Sequence, residues 1–164
     1  FPTQFLFFSK KEVFQIPLIG ASMRKLNYIS VDRANARAAA KSLKTTAEKV
    51  RAGNHVLIYP EGTRSYNARE LLPFKRGTLT LARKEAFPLL PIVVYGTQQV
   101  KPMKEKFVLL PHRVHVRVLP MIDIDDRLHP ANDNTKLSDN EQLEQLRQLL
   151  MNAYHDLANS YEKK

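Results

Sequence analysis

Seven consecutive residues, Tyr59-Pro60-Glu61-Gly62-Thr63-Arg64-Ser65, bring together a carboxylate, a glycine, two aliphatic hydroxyls and a guanidinium. They follow His55-Val56-Leu57-Ile58-Tyr59, an apolar run that reads as a buried strand. In open α/β sheets, ligands bind at the carboxyl ends of strands. There, a glycine lets backbone approach a ligand and an arginine suits bidentate contact with phosphate. The same residues also fit a plain turn leaving a strand, with Arg64 in solvent. Arg33 ends Val31-Asp32-Arg33 at the close of the preceding predicted strand. If the two strands are neighbours, a second arginine reaches the same sheet edge, and two cations there favour a dianionic ligand.

The elements that must position these residues alternate. Tyr28 to Val31 reads as a short strand. From Ala34 to Arg51, Ala36, Ala39, Ala40, Leu43, Ala47 and Val50 recur at helical spacing, and Gly53 supplies a stop. After the His55 to Tyr59 strand come a Pro- and Gly-containing loop, a helix from Gly77 to Ala86 and a strand from Ile92 to Tyr95. The alternation predicts an α/β fold with a largely parallel central sheet. Arg113, His115 and Arg117 alternate with Val114, Val116 and Val118, which predicts a strand with its valines buried and a basic outer face. Residues Asp123 to Lys136 form a polar loop, and Ser138 with Glu141 forms a capping box opening the last helix. Its stripe of Leu143, Leu146, Leu150, Ala153 and Leu157 predicts packing on the sheet rather than a coiled coil.

With 164 residues the chain is expected to form a single domain, 1–164. Its 26 Lys and Arg exceed its 16 Asp and Glu, so the formal charge of +10 points to anionic partners such as lipid headgroups, nucleic acid or phosphorylated metabolites. The absence of cysteine removes disulfides, thiolate metal sites and cysteine nucleophiles from consideration. Basic helices and interleaved aromatics of the nucleic-acid-binding kinds are not found, so no nucleic-acid partner is expected. Asp123, Asp125 and Asp126 read as a solvated turn, and no metal is expected. Apolar runs such as Phe5 to Phe8 fall short of the ~18–20 residues that span a bilayer. Leu6 and Phe8 are expected to point inward. The apolar Pro17 to Ala21 region, beside Lys10, Lys11, Arg24 and Lys25, suits an anionic membrane surface.

The Tyr59 to Ser65 segment resembles the Phe-Pro-Glu-Gly-Thr-Arg-Ser block of 1-acylglycerol-3-phosphate (lysophosphatidic acid) acyltransferases, with Tyr59 in place of the usual Phe. Lys10-Lys11-Glu12-Val13 through Pro17-Leu18-Ile19-Gly20 is similar to the family's Lys-Lys-Glu-Leu and Pro-Leu-Phe-Gly segment. Tyr28 to Arg33 resembles its acceptor-binding block. Phe74-Lys75-Arg76-Gly77 and Pro88-Leu89-Leu90-Pro91-Ile92-Val93 match its last two blocks. Residues 1–96 carry these blocks, while 97–164 hold the basic strand, polar loop and C-terminal helix.

The resemblance implies a glycerol-3-phosphate acyltransferase-like fold and transfer of a fatty acyl group from acyl carrier protein or coenzyme A to lysophosphatidic acid, giving phosphatidic acid. No bound cofactor is expected. Substrate-binding residues carried over are Lys10, Arg33 and Arg64 for the acceptor phosphate, with Glu61, Gly62 and Thr63 at its glycerol end. Lys75 fits either phosphate contact or solvent, and Pro91 an architectural role. The family's base is a histidine in an Asn-His-x4-Asp signature. None of the five histidines, His55, His112, His115, His129 and His155, has an Asp five positions on. A catalytic residue is therefore expected upstream of Phe1, and the isolated chain is expected to be inactive. The family's setting implies membrane association, at the cytoplasmic face of the inner membrane if the source is bacterial. Another lysolipid acceptor, or a non-catalytic module for anionic membranes, fits the same residues.

Overall fold

The computed structural model describes residues 5–32, 35–65, 69–102, 109–123 and 138–162. Arg33, Asp125, Asp126 and His129 lie outside them, as does nearly all of the polar loop before Ser138. The chain forms two compact units, Phe1–Pro60 and Glu61–Lys164.

In the first unit, β1 (Phe5–Lys10) runs through a 3-10 turn (Lys11–Gln15) into α1 (Ile19–Lys25), followed by β2 (Ile29–Val31), α2 (Ala36–Arg51) and β3 (His55–Leu57). The strands form a parallel sheet in the order β2-β1-β3, with Lys10 opposite Val31 and Phe7 opposite Leu57. This is the βαβ alternation expected from the sequence, with helices flanking a parallel sheet. Leu6, Ile29, Val31 and Ala47 are buried, Phe8 is half-buried, and α2 packs on β2 and β3.

Local chemistry sets the limits of α2. Asn35 accepts from the amides of Arg37 and Ala38, satisfying two donors of the first turn. At the other end, Gly53 donates to Val50 and Asn54 to Lys49, the paired bonds of a Schellman closure. The helix face against the sheet carries hydroxyls as well as alanines, and each hydroxyl is satisfied. Ser42 donates to the Ser30 carbonyl and Thr46 to the Ser42 carbonyl, both at 2.8 Å.

The second unit comprises α3 (Arg76–Glu85), β4 (Ile92–Tyr95), α4 (Thr97–Val100), β5 (His115–Val118) and α5 (Asp139–Glu162). Ser138 and Glu141 make the reciprocal capping box, with the Ser138 amide donating to the Glu141 carboxylate at 2.8 Å. The Ser138 bonds hold the Glu141 pKa below the usual carboxylate range. From α5, Leu143, Leu146, Leu150, Tyr154 and Leu157 join Phe74, Leu79, Val93 and Tyr95 in one core, with Ala153 packed at its margin. The helix thus lies on the sheet and on α3. No helix of the described residues is long and apolar enough to cross a membrane.

Two expectations are corrected here. Among the described pairings, β4 does not extend the parallel sheet; it pairs antiparallel with β5. The alternation in β5 is real, but its sense is reversed. Val116 is 58% exposed, and Val114 and Val118 are also exposed, whereas His115 and Arg117 are half-buried. Register explains the reversal. His115 lies opposite Tyr95 and Arg117 opposite Val93, and directly paired residues share a face of the sheet. Tyr95 and Val93 face the core, so their cross-strand partners do too. His115 meets this environment by stacking on Tyr161, with ring centroids 3.4 Å apart.

Tyr95 donates its phenol to Glu162, and this bond, with burial, pushes its pKa up to about 12. A folded pKa above the unfolded value gives stability that is complete below the unfolded pKa and lost as pH rises through the folded one. Urea unfolding should therefore show the advantage of the parent over Tyr95→Phe shrinking from about pH 9 to about pH 12. An advantage that grows over this range would contradict the assignment.

Candidate functional site

In the first unit, the parallel strands present their carboxyl ends at one edge, the usual ligand-binding edge of such sheets. Lys10, at the end of β1, is exposed there beside its partner Val31. Lys11 pairs with Asp32 at 3.4 Å, an exposed contact that contributes little on its own. Convergence of the two arginines at one edge requires that the strand leading to Asp32 neighbour the strand leading to Tyr59. It does not, because β1 lies between β2 and β3. The two outer strands are therefore about 10 Å apart, two inter-strand spacings. Lys10 is the cation at the end of the central strand. An open cleft of about 380 Å³ adjoins Asp32 between β2 and α2, lined by Lys11, Ser30, Lys41, Ser42 and Thr45.

In the second unit, the loop that follows β3 is built around Glu61. Its carboxylate accepts the Leu72 amide at 2.7 Å, bridging eleven residues of chain. The segment that carries Leu72 is in turn fastened to α5. Arg147 donates to the Leu71 carbonyl at 3.1 Å, the Leu71 amide lies 3.5 Å from the Met151 sulfur, and the His155 ring contacts the Arg69 carbonyl at 2.8 Å. Arg147 is itself steadied by Glu144 at 2.8 Å.

Thus held, the loop turns at Gly62, whose φ of +69° favours glycine. A Cβ at Gly62 would come within 3.4 Å of Lys75 Cγ, so the glycine backbone and the Lys75 side chain are close neighbours. Lys75 is the N-cap of α3 and makes no side-chain capping bond. Thr63 and Arg64 are exposed just beyond Gly62. The loop, a lysine and the start of a helix thereby gather. The first turn of α3 offers amides without intrahelical acceptors and the positive end of the helix dipole. Arg64 and Lys75 add exposed cations, and together these groups suit a phosphate monoester.

The sequence expectations fare unevenly in geometry. Gly62 is half-buried and Thr63 and Arg64 are exposed in one turn, while one oxygen of the Glu61 carboxylate accepts the Leu72 amide. Lys75, which sequence left between phosphate and solvent, is exposed and sits at this turn. The contributions of Leu72 and Arg147 were missed altogether. Lys75 had a usable signal, its place just before a predicted helix start. A backbone amide eleven residues from its acceptor has none.

A family profile described as "Acyltransferase" matches residues 1–95. The chain belongs to the acyltransferase family. Among relatives of this acyltransferase-family chain, a 1-acyl-sn-glycerol-3-phosphate acyltransferase of Limnanthes douglasii is 39% identical over 119 residues, covering 72% of this chain and 42% of its own length. One of the same name from Bacillus subtilis is 35% identical over 105 residues, covering 64% and 50%. The structure of the 1-acyl-sn-glycerophosphate (LPA) acyltransferase PlsC from Thermotoga maritima superposes with a TM-score of 0.72 at 25% identity, covering 93% of this chain and 56% of that one. The chain thus spans about half the length of these relatives or less.

The Glu61 bond yields a stability prediction. Glu61→Ala leaves the Leu72 amide without its acceptor and should cost about 1–3 kcal/mol in urea unfolding. Glu61→Gln retains a carbonyl acceptor and should lose less than half of that. Equal losses for the two would show that the carboxylate is not holding the loop.

Proposed function

We propose that the protein to which this chain belongs transfers a fatty acyl group from a thioester, acyl carrier protein or coenzyme A, to lysophosphatidic acid, giving phosphatidic acid. The observation that carries this reading is the turn at Gly62, which lies against Lys75, the N-cap of α3, with Arg64 exposed two residues on. Both the names of the relatives and the order of the sequence blocks support the same acceptor.

In this reading the turn holds the acceptor phosphate, and the glycerol hydroxyl is thereby aimed at the thioester carbonyl. The hydroxyl oxygen forms a bond to the acyl carbon, the carbon–sulfur bond breaks, and the hydroxyl proton leaves through a general base to end on the departing thiol. The base is the signature histidine, which none of the histidines within these residues matches. This chain's own part is binding and orientation. Fixing a reactant in attack geometry is a large share of catalysis, so a poorly held phosphate lowers turnover as well as affinity.

The membrane is the natural setting, because the acceptor and the product are lipids. The sequence blocks support a role in acceptor binding for Lys10, exposed at the end of the central strand, and for Arg33. No resident cofactor or metal is invoked, since the energy for transfer comes with the thioester.

The test is acylation by the full-length protein, with acyl coenzyme A and acyl carrier protein supplied in separate reactions. Arg64→Ala and Lys75→Ala should each lower kcat/KM for lysophosphatidate by roughly tenfold to a hundredfold, the range for losing a charge-assisted bond. Monoacylglycerol, lacking phosphate, should show little of this loss. Unchanged kcat/KM in both variants would remove the turn from acceptor binding. Efficient acylation of a different lysolipid only would change the acceptor and keep the family.

A further inference from the structure

Four large aliphatic residues around α1 are turned to solvent: Ile16 is 46% exposed, Leu18 84%, Ile19 50% and Leu26 42%. Singly, such residues are ordinary, but four within eleven positions make a contiguous segment that asks for an apolar partner. Ile19 and Leu26 are two helical turns apart and so lie along one side of α1. Met23, between them on the same stripe, is buried, as is Gly20, so the exposed aliphatics flank a buried position.

The backbone presents this segment at a cost. Leu18 has φ 65° and ψ −53°, and the Ile19 amide donates to the Pro17 carbonyl at 2.7 Å. That is a γ-turn of the strained, positive-φ type, with a leucine at its apex where glycine would be at ease. The turn is fixed from behind, because a Cβ at Gly20 would lie only 2.0 Å from the Phe14 carbonyl oxygen. Arg24 donates to the same carbonyl at 2.7 Å. The apex is thus the most exposed large apolar side chain among the described residues, held out by a turn that disfavours it.

Charge identifies the partner. Lys10, Lys11, Arg24 and Lys25 are all exposed in this part of the first unit, against Glu12 and the Asp32 that pairs with Lys11. Exposed aliphatic residues within a basic surround fit an anionic bilayer, whose acyl region takes the aliphatics and whose headgroups take the cations. An ordinary apolar protein partner would not call for the cations.

We propose that the Ile16–Leu26 segment is a membrane-docking surface, with Leu18 as its inserting tip and Lys25 as a headgroup contact. The proposal deepens the membrane setting of the acyltransferase reading, yet it can be tested without any acyl transfer. The chain contains no tryptophan, so a single one is a clean reporter. Leu18→Trp, mixed with phosphatidylglycerol–phosphatidylcholine vesicles, should shift its emission to the blue and be quenched by brominated acyl chains. Lys44→Trp, also at an exposed site, should do neither.

In vesicle sedimentation, Leu18→Gly and Lys25→Glu should each weaken binding, by about tenfold for loss of the leucine and by several-fold for reversal of the charge. Leu18→Gly relieves the turn, so its urea midpoint should stay level or rise, which separates lost docking from lost folding. Pure phosphatidylcholine vesicles should bind the parent chain more weakly. An unquenched Leu18→Trp on bound protein, equal binding of Leu18→Gly and parent, or concentration-dependent self-association in place of vesicle binding would each overturn the proposal. Insertion with no acylation by the full-length protein would leave the docking surface standing and defeat the enzymatic reading; acylation with no insertion would do the reverse.

Discussion

The bond from the Leu72 amide to the Glu61 carboxylate, 2.7 Å long, is the contact on which the geometry of the candidate site depends. A charged acceptor on a backbone donor is among the stronger hydrogen bonds available to a loop. It fixes where Glu61 lies, and Gly62, with its positive φ, can then only turn the chain towards Lys75. The segment that donates this bond is itself held by Arg147, Met151 and His155. The C-terminal helix, outside the matched family region, therefore acts as the brace for the most informative motif in the chain. A carboxylate that the resemblance assigns to the ligand thus also orders the loop around it, through one of its two oxygens.

The two units divide the work in chemical terms. The first supplies a parallel sheet whose carboxyl edge carries Lys10 and the Lys11–Asp32 pair, and a strained turn that exposes Leu18. The second supplies the turn at Gly62, the start of α3 and the helix that braces them. Each unit has its own core, and each leaves a positive surface where its chain reverses.

Local signals in the sequence were read correctly because local chemistry decides them. The helix α2 follows from its alanine periodicity and its stop from Gly53, while its start is set by the Asn35 cap and not at Ala34. The Ser138–Glu141 box places the start of α5, and its leucine stripe finds the core face. The parallel character of the first sheet followed from strand and helix alternation. What failed was decided by partners. Periodicity shows that β5 has two faces, but only its register with Tyr95 and Val93 says which one is buried. Strand order could not be read either: nothing in Phe5 to Lys10 announces that β1 sits between β2 and β3. Gly62, Thr63 and Arg64 were legible as a turn leaving a strand with residue types that suit phosphate, whereas the link from Glu61 to Leu72 and on to Arg147 depends on folding distant segments together.

The most direct test of the account is an amide chemical-shift titration of this chain with glycerol 3-phosphate, using glycerol as the uncharged comparison. If the turn and the start of α3 form one phosphate site, the amides of Gly62, Thr63, Arg64 and Gly77 will shift together along a single saturation curve, and glycerol will leave them in place. Shifts confined to other residues, or the same shifts with glycerol, would contradict the claim that this loop, braced through Glu61, recognises phosphate.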